Sequence, residues 1–195
     1  STLFTLGHTL QKSDANSPMW GALPLNFSDG SATDYSRSTS TSTDWAYWDM
    51  QENRTFAELA HNFANGWQAK AVLTHVEKKG DSSLFYVYGT PDRDTGLGLF
   101  SYPSEYQETN KQLIADLYAS GPFALAGREH ELVVGGSWSK SELEDMSWYD
   151  STTGTALPPL EDWTGSYPRP LNDNGSNGSD SSNSKNLIKI IQQQQ

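Results

Sequence analysis

The stretch Phe63-Ala-Asn-Gly-Trp67 constrains this chain more than any other. Asn-Gly marks a tight turn whose glycine accepts a left-handed backbone. On either side lie about twenty residues that read as strand, far beyond the roughly five or six usual in a soluble sheet. Pairing Phe63 with Trp67 across a three-residue loop, with Gly66 in the bulge position, sets a register. One face then carries Asn62 opposite Gln68, Ala60 opposite Lys70, Glu58 opposite Val72, Arg54 opposite Val76 and Glu52 opposite Lys78. The other carries Phe63 with Trp67, His61 with Ala69, Leu59 with Ala71, Ala57 with Leu73 and Thr55 with His75. A two-residue turn at Asn65-Gly66 would instead set Ala64 opposite Trp67 and exchange every partner.

Alternation at period two, wet on one side and apolar on the other, suits either a half-buried soluble sheet or a membrane barrel. The apolar band favours the barrel, because it lasts about nine to eleven residues and closes on an aromatic pair, as a lipid-facing strand does. Composition agrees by exclusion. No apolar run approaches the roughly eighteen residues of a membrane-crossing helix, and mean hydropathy is -0.66, yet alternating barrel strands leave only a weak hydropathy signal. A formal charge of -11 argues against nucleic acid as a partner, and the lack of cysteine rules out a disulfide framework and thiolate metal sites.

Along the chain, residues 1–12 alternate with Phe4, Leu6, His8 and Leu10 on one side, like a strand arriving from a preceding part of a longer protein. Residues 13–44 read as loop, a length that simple connections do not reach. After the hairpin of residues 45–88, whose last part overlaps it, a second excursion is expected over 80–104 and a third strand over about 105–120, with Leu113, Ala115, Leu117 and Ala119 on its apolar side. Gly121-Pro122 is expected to end that strand, and a turn through Gly127 leads to a fourth from His130 to about Ser141. A third long segment, 142–174, is rich in Trp, Tyr and Pro. The expectation is an all-β fold: consecutive antiparallel strands of a transmembrane β-barrel, about five strands and three long external loops within residues 1–174, with short turns at one end. Residues 175–195 turn to Gly, Ser, Asn and Gln and are expected to be a low-complexity tail outside the fold.

Six strings in order carry a resemblance: Trp45-Ala-Tyr-Trp-Asp49, Phe56-Ala-Glu-Leu59, Phe63-Ala-Asn-Gly-Trp-Gln-Ala69, Tyr88-Gly-Thr-Pro-Asp-Arg-Asp94, Asp116-Leu-Tyr-Ala-Ser-Gly-Pro-Phe123 and Gly127-Arg-Glu-His-Glu-Leu-Val-Val-Gly135. Together they resemble barrel motifs of TonB-dependent ferric-siderophore receptors, of the ferric-pyoverdine and hydroxamate types. The resemblance implies an outer-membrane location in a Gram-negative bacterium and a barrel of 22 strands closed by a plug, of which this chain matches only a few strands and their loops. It also implies a ferric siderophore as ligand, outer-membrane lipid around the wall, and TonB acting through a plug that has no counterpart here. Iron enters as part of the bound siderophore, so no cofactor, metal ligand or catalytic residue is expected and the chain reads as no enzyme.

By the same resemblance, ligand binding falls to Trp20, Trp45, Trp48 and Tyr88, with Gln51 as a hydrogen-bond partner. Trp and Tyr give large rigid contact area with a polar tip, which suits a chelate with a flat organic shell. On the register above, Trp48 points inward and Trp45 outward. Phe63 and Trp67 read as girdle aromatics, and Glu58 with Lys70 and Glu52 with Lys78 as cross-strand charge pairs. Asp92-Arg-Asp94-Thr-Gly96 hints at a calcium loop but lacks the closing Glu, and His8, His61, His75 and His130 show no metal-ligand spacing. The rival from another class is a soluble all-β carbohydrate- or ligand-binding module with aromatic platforms, which requires two apolar faces to meet. A glycoside hydrolase would need a carboxylate pair that no spacing here selects.

Overall fold

The computed structural model describes residues 1–169 and, for the backbone alone, Ser184–Gln194. Five long strands follow one another in a single antiparallel sheet: β1 Thr2–Asn16, β2 Tyr47–Asn62, β3 Gln68–Gly89, β4 Leu99–Leu125 and β5 Arg128–Tyr149. The β2–β3 register is the three-residue alternative. Asn62 pairs with Gln68 and Glu52 with Lys78, and the Phe63 amide donates to the Trp67 carbonyl at 2.8 Å, with Gly66 at φ 85°. The charge pairs close as the register requires, Lys70 to Glu58 at 2.6 Å and Lys78 to Glu52 at 3.2 Å.

Several boundaries differ from the sequence-based expectation. Residues 80–89 and 99–104 are strand, so the excursion between β3 and β4 shrinks to 90–98. Phe85, Val87 and Leu99 bury one side of this extension, which keeps it extended. Gly121-Pro122 does not end β4, which runs on to Leu125 and turns tightly through Ala126 (φ 52°) and Gly127 (φ 75°). Beyond Ser120, the partner of the first β3 residue Gln68, β4 pairs with β5 alone, so the missing Pro122 N–H interrupts nothing between two neighbours. β5 runs on to Tyr149 and β1 to Asn16. Part of the C-terminal stretch set outside the fold also belongs to the sheet: Ser184–Gln194 forms β6, antiparallel to β5. The open edge of β5 offers backbone donors and acceptors, and the Leu-Ile-Lys-Ile-Ile run is of strand-forming type.

Loop lengths sort by end. The turns at Phe63–Trp67 and Ala126–Gly127 lie at one end, whereas 17–46, 90–98 and the segment after Tyr149 all lie at the other. Gly21 abuts the Tyr86 ring, Gly89 pairs with Leu99, and Tyr149 sits beside Tyr102 with ring centroids 5.8 Å apart, so these three markers share that end.

The two faces differ in chemistry over the lower half of the sheet. Phe4, Leu59, Leu73, Leu117 and Val134 stand on one face and remain exposed, Leu117 at 62%. No second layer covers them among the described residues, so the apolar faces of a sandwich never meet. Along β4 this face runs from Phe123 to Leu113, about eleven residues, or about 25 Å of height for a strand tilted by about 40°. Its turn end is closed by rings. His61 and Phe63 lie 4.4 Å apart, Phe123 and His130 5.3 Å, and Trp67 covers Gly121, where a Cβ would come within 2.5 Å of the indole. A shallow hollow of about 670 Å³ on this face, between Phe4, Leu59, Leu73, Leu117 and Trp138, follows from the small Ala57, Ala71, Ala115 and Gly136 between the large side chains.

Candidate functional site

Above the apolar band the sheet carries aromatic residues on both faces, and the parity of each strand decides which face each joins. On the face continuous with the apolar band, Phe85 is fully buried, with Val87, Leu99, Leu157 and Leu160 around it. Phe85 stacks on Trp163 at 5.5 Å and touches Tyr167 at 4.6 Å and Trp45 at 6.1 Å. The indole N–H of Trp45 donates to the Tyr167 carbonyl (2.7 Å), that of Trp163 to the Ser42 carbonyl (2.8 Å), and the Tyr167 hydroxyl to Ser101 Oγ (2.9 Å). The segments before β2 and after β5 are thereby clamped onto the outside of the strand extension. Trp45 is a structural member of this core, facing away from the polar face.

Polar groups tie down the same side. Ser83 Oγ donates to Glu105 at 3.0 Å, and Arg169 approaches Glu105 at 3.9 Å while lying over the Tyr47 ring. Burial raises the Glu105 carboxyl above its ordinary range. Burial and the Asp81 carboxylate, which accepts from the Tyr47 hydroxyl at 2.7 Å, push that phenol up to about 12.

The opposite face, continuous with the Glu58–Lys70 pair, gathers the other aromatics. Trp48 on β2, Tyr86 and Tyr88 on β3, and Tyr102 and Tyr106 on β4 share it, since Trp48 pairs with Ser82, Ser82 with Tyr106, Tyr86 with Tyr102 and Tyr88 with Phe100. Trp20 reaches down from the 17–46 loop, bridging to Tyr86, and meets the rings of Tyr86 and Tyr106 edge-on at 5.6 Å each. Gly21 makes that descent possible, with φ 97° and no room for a Cβ against the Tyr86 ring. Between Trp20, Tyr86, Tyr88, Tyr102, Tyr106 and Thr153 lies an open hollow of about 590 Å³ with mostly apolar walls. Burial pushes the Tyr106 phenol up to about 12 and raises that of Tyr102, so both remain neutral donors at physiological pH.

Of the candidates from sequence, the structure brings Trp20, Trp48 and Tyr88 to this face and leaves two elsewhere. Trp45 is in the outer core, and Gln51 sits between Lys12 and Lys79 on the face continuous with Leu59. Gln51 lies an odd number of residues from Trp48, so period two sends it to the other side. Tyr102 escapes the sequence reading because residues 80–104 read as loop, and Tyr106, at the start of the expected third strand, is not singled out there. Their period-two spacing with Tyr86 and Tyr88 across the ladder was the available signal. The Asp92 turn engages its own loop, the carboxylate accepting from the Thr95 and Asp94 amides and the Thr95 hydroxyl.

No family model matches the chain. Among curated proteins it is 36% identical over 175 residues to the ferric-pyoverdine BN7/BN8 receptor of Pseudomonas putida, covering 87% of this chain and 22% of the relative. It is 35% identical over 178 residues to the ferripyoverdine receptor of Pseudomonas aeruginosa, covering 87% and 21%. The chain thus spans about a fifth of the length of these relatives. Among solved structures, that of the ferripyoverdine receptor of the outer membrane of Pseudomonas aeruginosa bound to ferripyoverdine aligns with TM-score 0.80 and 30% identity, over 98% of this chain and 25% of that one. The FpvAI–pyocin S2 complex aligns with TM-score 0.76 and 33% identity, over 87% and 23%.

Proposed function

The chain belongs, as a stretch of barrel wall, to the TonB-dependent ferric-siderophore receptors, and from that premise we propose that it forms part of an outer-membrane receptor taking up iron as ferric pyoverdine. The single observation that carries this reading is the aromatic hollow of Trp20, Tyr86, Tyr88, Tyr102 and Tyr106, on the polar face and at the long-loop end. A ligand arriving from outside meets that end first, and the polar face is the one that lines a barrel's aqueous interior. Flat aromatic walls with phenol tips fit a conjugated chelate better than a free ion, so iron is cargo held by its siderophore. Transport by the whole receptor would draw on TonB acting through a plug outside this chain. The uncovered apolar face supports lipid contact rather than the soluble binding module.

Two measurements test the reading. Titrating ferric pyoverdine into the chain folded in detergent should quench the Trp20 and Trp48 emission saturably, while a ferric chelate without an aromatic group should leave it unchanged. Equal quenching by both would remove the aromatic site. For the lipid face, Leu117→Arg near mid-band should cost about 2–4 kcal/mol in bilayers, whereas Gln112→Arg on the opposite face should cost less than about 1 kcal/mol. Urea unfolding in phospholipid vesicles measures both, and similar losses would mean that neither face meets lipid.

A further inference from the structure

Directly below the aromatic hollow lies a second, smaller one of about 250 Å³, sharing Trp20 and Tyr106 with it. It exists because of a local size pattern. On β3, Gly80 and Ser82 contribute almost no side chain, while Trp48 and Met50 rise on β2 and Tyr106 and Glu108 on β4. A Cβ built on Gly80 would meet nothing nearer than Glu108 Cβ at 3.8 Å, and Gly80 has no left-handed φ, so the empty floor is not required by the backbone.

The chemistry of this hollow is one-sided. Glu108 lies directly opposite Asp145 across the β4–β5 ladder, and both line it. Two like charges in that position destabilise a sheet unless a cation joins them. The lysine one row below on the same face, Lys78, already pairs with Glu52 at 3.2 Å, and neither Glu108 nor Asp145 takes part in an ion pair among the described residues. Above the carboxylates stand the rings of Trp48, 40% exposed, and Tyr106, the arrangement that holds an organic cation by its charge and its methylenes together.

We infer that this lower hollow binds a cationic side group, a primary ammonium or guanidinium, carried by the same ligand whose flat part occupies the aromatic hollow above; the inference rests on that hollow being the ligand site. The ligand class is thereby narrowed to chelates bearing an unacylated amine or guanidine within reach of the aromatic part. The formal charge of -11 draws such a ligand in over a neutral or anionic one.

The test uses dansylcadaverine, which joins a flat aromatic body to an alkylammonium, and its neutral N-acetyl derivative, with binding to the full chain in detergent read by fluorescence anisotropy. The chain should bind the ammonium form about tenfold more tightly than the acetylated one. E108Q combined with D145N should erase that preference and leave the acetylated dye unaffected. Gly80→Val should weaken the ammonium form by filling the floor without touching a charge, and heat-modifiable migration in gels confirms folding of each variant. Ferric pyoverdine is titrated in parallel. Equal affinity for the two dyes in the wild type, or a preference that survives the double variant, overturns the inference while ferric pyoverdine binding persists. Loss of ferric pyoverdine binding in the wild type as well would show that the reading beneath it has failed.

Discussion

Replacing Phe85 by alanine is expected to lower the local stability of the upper, loop-bearing half of the molecule by about 3–5 kcal/mol, within the range for truncating a fully buried aromatic. The effect should be large because one ring holds three others. Trp163, Tyr167 and Trp45 all pack on Phe85, and their N–H and O–H groups in turn fix the Ser42 and Tyr167 carbonyls and the Ser101 hydroxyl. With the ring gone, the 17–46 and 150–169 segments lose their shared anchor, while the strands of the apolar band keep every ladder pair. Limited proteolysis should therefore cut the variant rapidly in those two segments while the strand core remains protected, at a protease concentration that leaves the wild type intact. Phe85→Leu, which refills much of the volume, should recover more than half of the protection. Uniform digestion of strands and loops would show instead that the outer core holds the whole sheet together.

Replacing Trp20 and Tyr106 together by alanine should weaken ferric pyoverdine binding by at least about 3 kcal/mol, a hundredfold or more in Kd. These two rings touch each other and line both hollows, so each truncation opens two walls at once. Because they are in contact, the single substitutions should not sum to the double one, and the shortfall measures how far the pair acts as a unit. Gln51→Ala, on the face continuous with Leu59, should change affinity by less than about twofold. Trp45→Phe should behave like a stability variant, with loops loosened and affinity nearly kept. An effect at Gln51 as large as at Trp20 would place the ligand on the other face of the sheet.

Much of this was legible in the residues. The Asn65-Gly66 turn and the alternation around it favour the observed β2–β3 register over the two-residue alternative, since slipping one strand by one residue would set Leu59 and Leu73 on opposite faces and part Glu58 from Lys70 in the same way. The same alternation sent Trp48 and Trp45 to opposite faces, and the clustering of Gly, Pro and Ser gathered the long loops at one end. The upper parts of β3 and β4 were not legible. Phe85-Tyr-Val-Tyr88 alternates like any strand, but the Pro and Gly around it resemble loop until Leu157, Leu160 and Trp163 are seen covering Phe85.

By itself, then, the sequence determined the two-faced band and the side on which each nearby residue stands, and it narrowed the central hairpin to two registers, because a period of two is a local property of the backbone. Only the tertiary structure decided which of the many aromatics form a site and which form a core. That choice depends on contacts between segments more than a hundred residues apart, such as Trp45 with Tyr167 and Ser42 with Trp163, and on the descent of Trp20 onto Tyr86 and Tyr106, none of which leaves a periodic mark.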